Sequence, residues 1–144
     1  MSPRSTTPEL RRKRWTLVAV TLALGITILD ETVVFLALPA IDRDLGVGLA
    51  GQQWVVNGYL LPLAALLLLT GSLADRYGRR RLFILGLIGF GLASLAAGLA
   101  PSAGFLIVAR VVQGVFAALL MPSTLSLLVA TFRGEERAGA IGAW

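Results

Sequence analysis

Three ionisable side chains, Asp30, Glu31 and Arg110, lie inside otherwise apolar runs of the sequence. A charged group near the centre of a membrane helix costs at least about 2.5 kcal/mol on insertion scales, so each is a functional candidate that needs a partner. A carboxylate next to a guanidinium can do proton chemistry, because a change in their contact changes how readily the carboxylate takes up a proton. The chain has no histidine and no cysteine. Carboxylates must therefore carry any protonation chemistry.

The positions of Asp30 and Arg110 predict that the two side chains meet. Asp30 lies eight residues before the end of the first apolar run, and Arg110 lies six residues after the start of the fourth. At about 1.5 Å per helical residue, these are depths of about 12 Å and about 9 Å from the same surface. If the two helices are neighbours, the side chains can form an ion pair inside a polar cavity. A fixed pair that serves only helix insertion is the alternative.

Other polar residues are candidates for the wall of a substrate cavity. Gln113 belongs to a small and polar stripe on one face of the fourth helix, which comprises Arg110, Gln113, Gly114, Ala117, Ala118 and Met121. Glu31 is rotated by about 100° from Asp30, so both can border one wide cavity without making the same contact. Asn57 and Tyr59 could line a substrate path, while Tyr59 and Trp54 equally fit aromatic anchors at the membrane interface.

The composition is that of an integral membrane protein. Hydrophobic residues make up 56% of the 144 residues, charged residues make up 15%, and the mean hydropathy is +0.80. A soluble domain would carry about 25% charged residues. The net charge of +5 comes from short basic clusters at the ends of apolar runs, which indicates membrane topology and not a nucleic-acid surface. No metal site and no cofactor are expected.

These patterns predict an all-α membrane protein with four transmembrane helices and the start of a fifth. A basic cytoplasmic tail at 1–14 precedes a partial N-terminal transmembrane domain at 15–144. The helices are predicted at about 15–38, 52–73, 82–100 and 105–130, with a fifth starting near 138. Pro39 is expected to end the first helix and to open a short acidic loop over 41–44. The first apolar run is longer than the apolar core of a signal peptide, which has about 7 to 15 residues. This length favours a membrane helix over a cleaved signal.

The distribution of basic residues predicts a cytoplasmic N-terminus. The tail, the segment between the second and third helices, and the last loop hold five, four and two Lys or Arg residues, against Arg43 alone on the other side. We therefore expect a multi-pass protein of the inner or plasma membrane, surrounded by lipid. Because the sequence stops as another helix begins at Ala138, we expect a fragment of a longer polytopic protein.

A compact charged segment, 71–81, separates the second and third apolar runs. Gly71 permits close backbone approach, and Gly78 permits a tight turn. Asp75 can cap a helix or pair with Arg79. The remaining arginines, Arg76, Arg80 and Arg81, are expected to face the anionic inner leaflet.

Three stretches resemble motifs of the major facilitator superfamily. The segment between the second and third helices is similar to the family's signature loop: Gly71-x-Leu73-Ala74-Asp75-Arg76-x-Gly78-Arg79-Arg80. The first helix resembles that of the drug:proton antiporters, most closely the fourteen-helix branch: Leu29-Asp30-x-Thr32-Val33-Val34 with Ala37-Leu38-Pro39. The fourth helix is similar to the motif whose arginine is associated with proton coupling: Leu106-x-x-x-Arg110-x-x-Gln113-Gly114-x-x-Ala117-Ala118. Two positions depart from these motifs, Phe35 in place of Asn and Phe116 in place of Gly.

The resemblance implies the N-terminal part of a proton-coupled multidrug efflux transporter and not an enzyme. Its partners would be drug-like compounds, protons and the missing C-terminal portion, with Asp30 and Arg110 in proton coupling. A possible substrate cavity would include Glu31, Asn57 and Gln113. In the family, the signature loop is thought to stabilise one conformation by contacting the second half. Three alternatives stay open: a small four-helix multidrug-resistance dimer, a non-transporting truncated interaction protein, and a major facilitator carrier of another metabolite.

Overall fold

The computed structural model describes residues 7–132 and 135–143, and this part of the chain is almost entirely α-helical. The five helices are α1 (Thr7–Leu45), α2 (Gly48–Tyr77), α3 (Arg79–Gly98), α4 (Ala103–Thr131) and α5 (Glu135–Ala143). The first four are long and apolar enough to cross a membrane, the shortest having 20 residues. The predicted all-α class, with four membrane-length helices and a fifth that begins after them, is confirmed.

Helix α4 lies at the centre of the bundle, where it packs against α1, α2 and α3. Its predicted small and polar stripe is the face that is buried: Arg110, Gln113, Gly114, Ala117 and Ala118 are inaccessible, and Met121 is half-buried. Large apolar side chains instead cover the outside of the bundle, as at Leu68, which is 88% exposed. Small and polar residues inside and large apolar residues outside are the distribution expected of a helix bundle in lipid. Lipid, unlike water, does not drive apolar side chains into the interior.

The contact between α2 and α4 depends on glycine. A Cβ on Gly114 would overlap the backbone oxygen of Tyr59 and would lie 2.8 Å from Cγ of Pro62. Below this point the Thr70 hydroxyl donates a hydrogen bond of 2.6 Å to the backbone oxygen of Ala118. Close backbone approach and an interhelical hydrogen bond supply the attraction that lipid does not provide.

The contact between α3 and α4 accommodates Phe116, which stands where the family motif usually has glycine. The ring of Phe116 lies against Gly89 of α3, where a Cβ would overlap it. A Cβ on Gly86, one turn earlier on α3, would make tight contacts of 3.1 Å with Leu120 and 3.2 Å with Leu119. The glycine that permits close approach is therefore supplied by α3 where α4 carries a phenylalanine.

The predicted end of the first helix at Pro39 is wrong, because α1 continues to Leu45 with Pro39 inside it. A proline removes one backbone hydrogen bond, but a long membrane helix tolerates this loss. The predicted acidic loop over 41–44 is accordingly helical. The turn that joins α1 to α2 lies at Gly46 and Gly48, which have φ values of 61° and 62°. Asp42 accepts a hydrogen bond of 2.7 Å from the Gly48 N–H and so caps the next helix.

Most other helix ends also lie outside the predicted bounds, whereas α3 ends at Gly98, before the predicted bound at 100. Helix α1 starts at Thr7 inside the segment predicted as a tail, and α5 starts at Glu135 instead of near 138. Charged residues continue a helix readily, so hydropathy alone places its ends too far inside. Lys13 forms a salt bridge of 2.7 Å with Glu136, which joins the first turns of α1 to α5. The parts of the predicted tail and last loop at 1–6 and 133–134, and Trp144, lie outside the described residues.

We expect Gly114→Ala to lower the free energy of unfolding by about 1–3 kcal/mol, because the new methyl group meets backbone that cannot move aside. The measurement is far-UV circular dichroism of the detergent-solubilised chain during titration with sodium dodecyl sulfate. Gly91→Ala is the matched control, since nothing lies within 4 Å of a Cβ at that position of α3. Equal stability of the two variants would contradict the packing described for α2 and α4.

Candidate functional site

Helices α1, α3 and α4 bring four polar side chains together inside the bundle. The Nη1 atom of Arg110 lies 2.5 Å from Oδ2 of Asp30 and donates a second hydrogen bond of 2.9 Å to Oε1 of Gln113. Gln113 in turn donates a hydrogen bond of 2.7 Å from Nε2 to Oδ1 of Asp30. The hydroxyl of Ser94 donates to the same oxygen at 3.3 Å. The predicted ion pair is therefore present, closed into a ring by Gln113.

The ring of hydrogen bonds is shielded from its surroundings. The side chain of Arg110 is 2% exposed and that of Asp30 is 13% exposed. The guanidinium also lies 4.4 Å from the centroid of the Tyr59 ring, and its Nε donates to the backbone oxygen of Val55 at 3.4 Å. A buried ion pair is tolerated only where further hydrogen bonds and contacts satisfy both partners. Here Gln113, Ser94 and Val55 supply those bonds.

The spacing of residues along α4 and α2 explains how the side chains of the cluster come together. Arg110 and Gln113 are three residues apart and so share one face of α4. Val55 and Tyr59 are four residues apart on α2, and both are buried against α4. The prediction of Tyr59 as an interface anchor is wrong, since it is 1% exposed, whereas Trp54 is 54% exposed.

Ser94 is the residue that sequence reasoning missed. It is one serine in a helix rich in Gly and Ala, and a helical serine commonly bonds its own backbone. Such a residue becomes informative only when the neighbouring helix is known. Its hydrogen bond to Asp30 links α3 to the cluster.

A cavity of about 470 Å³ lies beside the cluster, between α1 and α2. Its polar wall includes Glu31 and Arg110, and its aromatic wall includes Phe35 and Tyr59. Asp30 does not line this cavity; it faces a second cleft of about 390 Å³ that lies between α1 and α3 and includes Ser94. The ion pair thus separates the two spaces.

The other two predicted cavity residues occupy different positions. Gln113 is fully buried within the hydrogen-bonded cluster. Asn57 is exposed on α2 and is not part of the wall that surrounds the cavity. The structure therefore brings Glu31 to the cavity but not Asn57.

The signature segment forms a turn of one residue. Gly78 alone separates α2 from α3 and has a φ of 98°, which favours glycine strongly. Asp75 accepts a hydrogen bond of 2.8 Å from Nη2 of Arg79, whose Nη1 donates to the backbone oxygen of Ser126 on α4 at 3.3 Å. Arg76 and Arg80 are exposed. A Cβ on Gly71 would meet no described atom within 4 Å, so the close approach expected there is not made by the described residues.

Within residues 7–132 and 135–143, no group of three or more His, Cys, Asp or Glu side chains is placed to hold a metal ion. The cluster instead links helices, because the Asp30 carboxylate of α1 accepts hydrogen bonds from Ser94 of α3 and from Arg110 and Gln113 of α4.

Comparison with known proteins relates this arrangement to transporters. The chain is 48% identical over 134 residues to the puromycin resistance protein pur8 of Streptomyces alboniger, which covers 92% of this chain and 27% of that protein. It is 46% identical over 136 residues to the tetracenomycin C resistance and export protein of Streptomyces glaucescens, covering 94% and 25% of the two chains. It is also 46% identical over 144 residues to the multidrug efflux pump LfrA of Mycolicibacterium smegmatis, covering 96% and 28%. The chain spans about a quarter of the length of these relatives.

Residues 20–144 match the family model described as Major Facilitator Superfamily. The matched segment includes Asp30, Arg110, Gln113 and the one-residue turn at Gly78. Together with four helices of membrane-spanning length, this match identifies the chain as a multi-pass membrane protein that belongs to the Major Facilitator Superfamily.

Proposed function

We propose that this chain provides the first helices of a multidrug exporter driven by the proton gradient, in which Asp30 and Arg110 couple proton movement to transport. The observation that carries the proposal is the buried ring formed by Asp30, Arg110 and Gln113. The relatives named for antibiotic resistance, export and multidrug efflux support the direction of transport and the class of cargo. We propose this activity for a protein with the full length of these relatives, and not for this chain alone.

Protonation of Asp30 provides a physical route to coupling. The carboxylate of Asp30 accepts hydrogen bonds from Arg110 and Gln113 on α4 and from Ser94 on α3. A proton would remove its charge and weaken all three bonds. Arg110 would keep Gln113, the Val55 carbonyl and the Tyr59 ring as partners. Helix α1 would then be held less tightly against α3 and α4, which gives the charge of Asp30 a route to the conformation of the bundle.

The proposed protein is a carrier, since this cycle moves a proton and a compound and breaks no covalent bond. Membership of the Major Facilitator Superfamily also favours a carrier over the small four-helix multidrug-resistance dimer.

The proposed position of the N-terminus is cytoplasmic. Arg12 of α1 and Arg80 of α3 border one cleft together with Thr131 of α4, so the basic segments share one end of the bundle, as the positive-inside rule requires.

We expect Asp30→Asn to abolish proton-driven export. The assay uses a chimaera in which this chain replaces the matching segment of the puromycin resistance protein of Streptomyces alboniger. Proton-driven uptake of puromycin into everted vesicles should fall at least about tenfold, because asparagine cannot exchange a proton. Exchange of labelled for unlabelled puromycin without a proton gradient should persist. Gradient-driven export by the variant at the parent rate would refute the coupling role.

A second prediction concerns the signature turn. Asp75→Asn should reduce export by the same chimaera several-fold, although the stability of the isolated chain should change by less than about 1 kcal/mol because the pair with Arg79 is exposed. The matched control is Arg81→Gln, which removes an exposed charge that lies outside the Asp75–Arg79 pair. A parallel loss of export and thermal stability in Asp75→Asn would indicate a merely structural role.

The proposed orientation is testable because the chain has no native cysteine. Tyr77→Cys and Gly104→Cys introduce single thiols at exposed positions near opposite ends of the bundle. A membrane-impermeant maleimide added to intact cells should label Gly104→Cys and leave Tyr77→Cys unlabelled until the cells are opened. The reverse pattern would place the N-terminus outside.

A further inference from the structure

The cleft of about 600 Å³ between α1, α3 and α4 lies at the end of the bundle that carries the basic segments. It shares no lining residue with the two spaces beside the ion pair. On each of the three helices the lining is polar at the end of the bundle and apolar nearer the middle of the helix. The residues that show this order are Arg12 and Val20 on α1, Arg80 and Ile84 on α3, and Thr131 and Leu127 on α4.

The polar end of the cleft carries two positive charges. Arg12 and Arg80 are both exposed, and no carboxylate of the described residues lines the cleft. Within the described part of the chain, neither arginine forms a hydrogen bond or a salt bridge. Arg79, by contrast, is paired with Asp75. The cleft therefore presents unbalanced positive charge, which suits a phosphate group because guanidinium groups bind phosphate through paired hydrogen bonds.

The apolar part of the cleft indicates a lipid in preference to a water-soluble phosphate. Val20 lies eight residues after Arg12, which is about 12 Å further along α1. Trp15 lines the cleft between them and is 66% exposed, as is usual for a tryptophan at the level of lipid headgroups. A free phosphate has no group to place against the apolar surface of Phe83 and Ile84, whereas an acyl chain would cover it.

We propose that this cleft is a binding site for an anionic phospholipid of the leaflet at this end of the bundle. The phosphate pairs with Arg12 and Arg80, and one acyl chain lies against the apolar lining of α3 and α4. A lipid in this position joins α1 to α3, which Ser94 and Asp30 join at a different level of the bundle. The site goes beyond the proposed export activity and does not depend on it.

The test is quenching of Trp15 fluorescence by phospholipids with brominated acyl chains. Trp54→Phe and Trp144→Phe in the complete 144-residue chain leave Trp15 as the one tryptophan. The chain is placed in phosphatidylcholine vesicles that contain the same mole fraction of either brominated phosphatidylglycerol, which is anionic, or brominated phosphatidylcholine. The anionic lipid should be favoured next to Trp15 by at least about fivefold, since each arginine near a membrane surface adds to the attraction of anionic lipid.

Two double variants separate a site from general attraction to a basic surface. Arg12→Gln with Arg80→Gln should abolish the preference for phosphatidylglycerol. Arg11→Gln with Arg81→Gln is the matched control, because it removes the same charge from exposed neighbours that do not line the cleft. This control should keep the preference. Circular dichroism of each variant verifies that the helices are intact.

Four results would overturn the inference. They are no preference for the anionic lipid in the parent chain, a full preference in Arg12→Gln with Arg80→Gln, an equal loss in both double variants, and weak quenching by both brominated lipids. The third would mean general attraction to a basic surface, and the fourth would mean that a second copy of the chain covers the cleft. Because no transport is measured, failure of the export proposal would leave the result unchanged.

Discussion

The constraint on which the bundle depends is the placement of one guanidinium in a medium that cannot solvate it. Arg110 is 2% exposed, and an unpaired charge at such a depth would be expelled or would draw water into the bundle. The protein satisfies it with a carboxylate from α1, an amide from α4, a backbone carbonyl and an aromatic ring from α2. Three helices thus meet at a single side chain, and their relative positions follow from its requirements.

Close packing and electrostatics act together at this point. Gly114 follows Gln113 directly and lets the backbone of α2 approach α4 near Tyr59. That approach places the Tyr59 ring beneath Arg110. A larger residue at 114 would therefore disturb an ion pair that it does not touch. This dependence explains why one face of α4 combines polar residues with the smallest ones.

Features that depend only on the spacing of residues along the chain could be predicted from the sequence. Apolar runs located four membrane helices, and matched depths predicted the contact between Asp30 and Arg110. Helix ends were less predictable, because the segment around Pro39 remains helical within a membrane-length helix. The contacts of Ser94 and Tyr59 could not be predicted from the residues next to them in the sequence. Each contact is made with a residue of another helix, and its formation depends on how the helices pack.

The contact between Phe116 and Gly89 has a consequence for how these helices can diverge. A bulky side chain on α4 lies opposite a glycine on α3, so the ring of Phe116 fills the space between the two helices. Restoring glycine at 116 alone would leave a void, and enlarging residue 89 alone would produce an overlap. The two positions are therefore expected to change as a pair, and a motif defined on one helix is incomplete without its complement on the next.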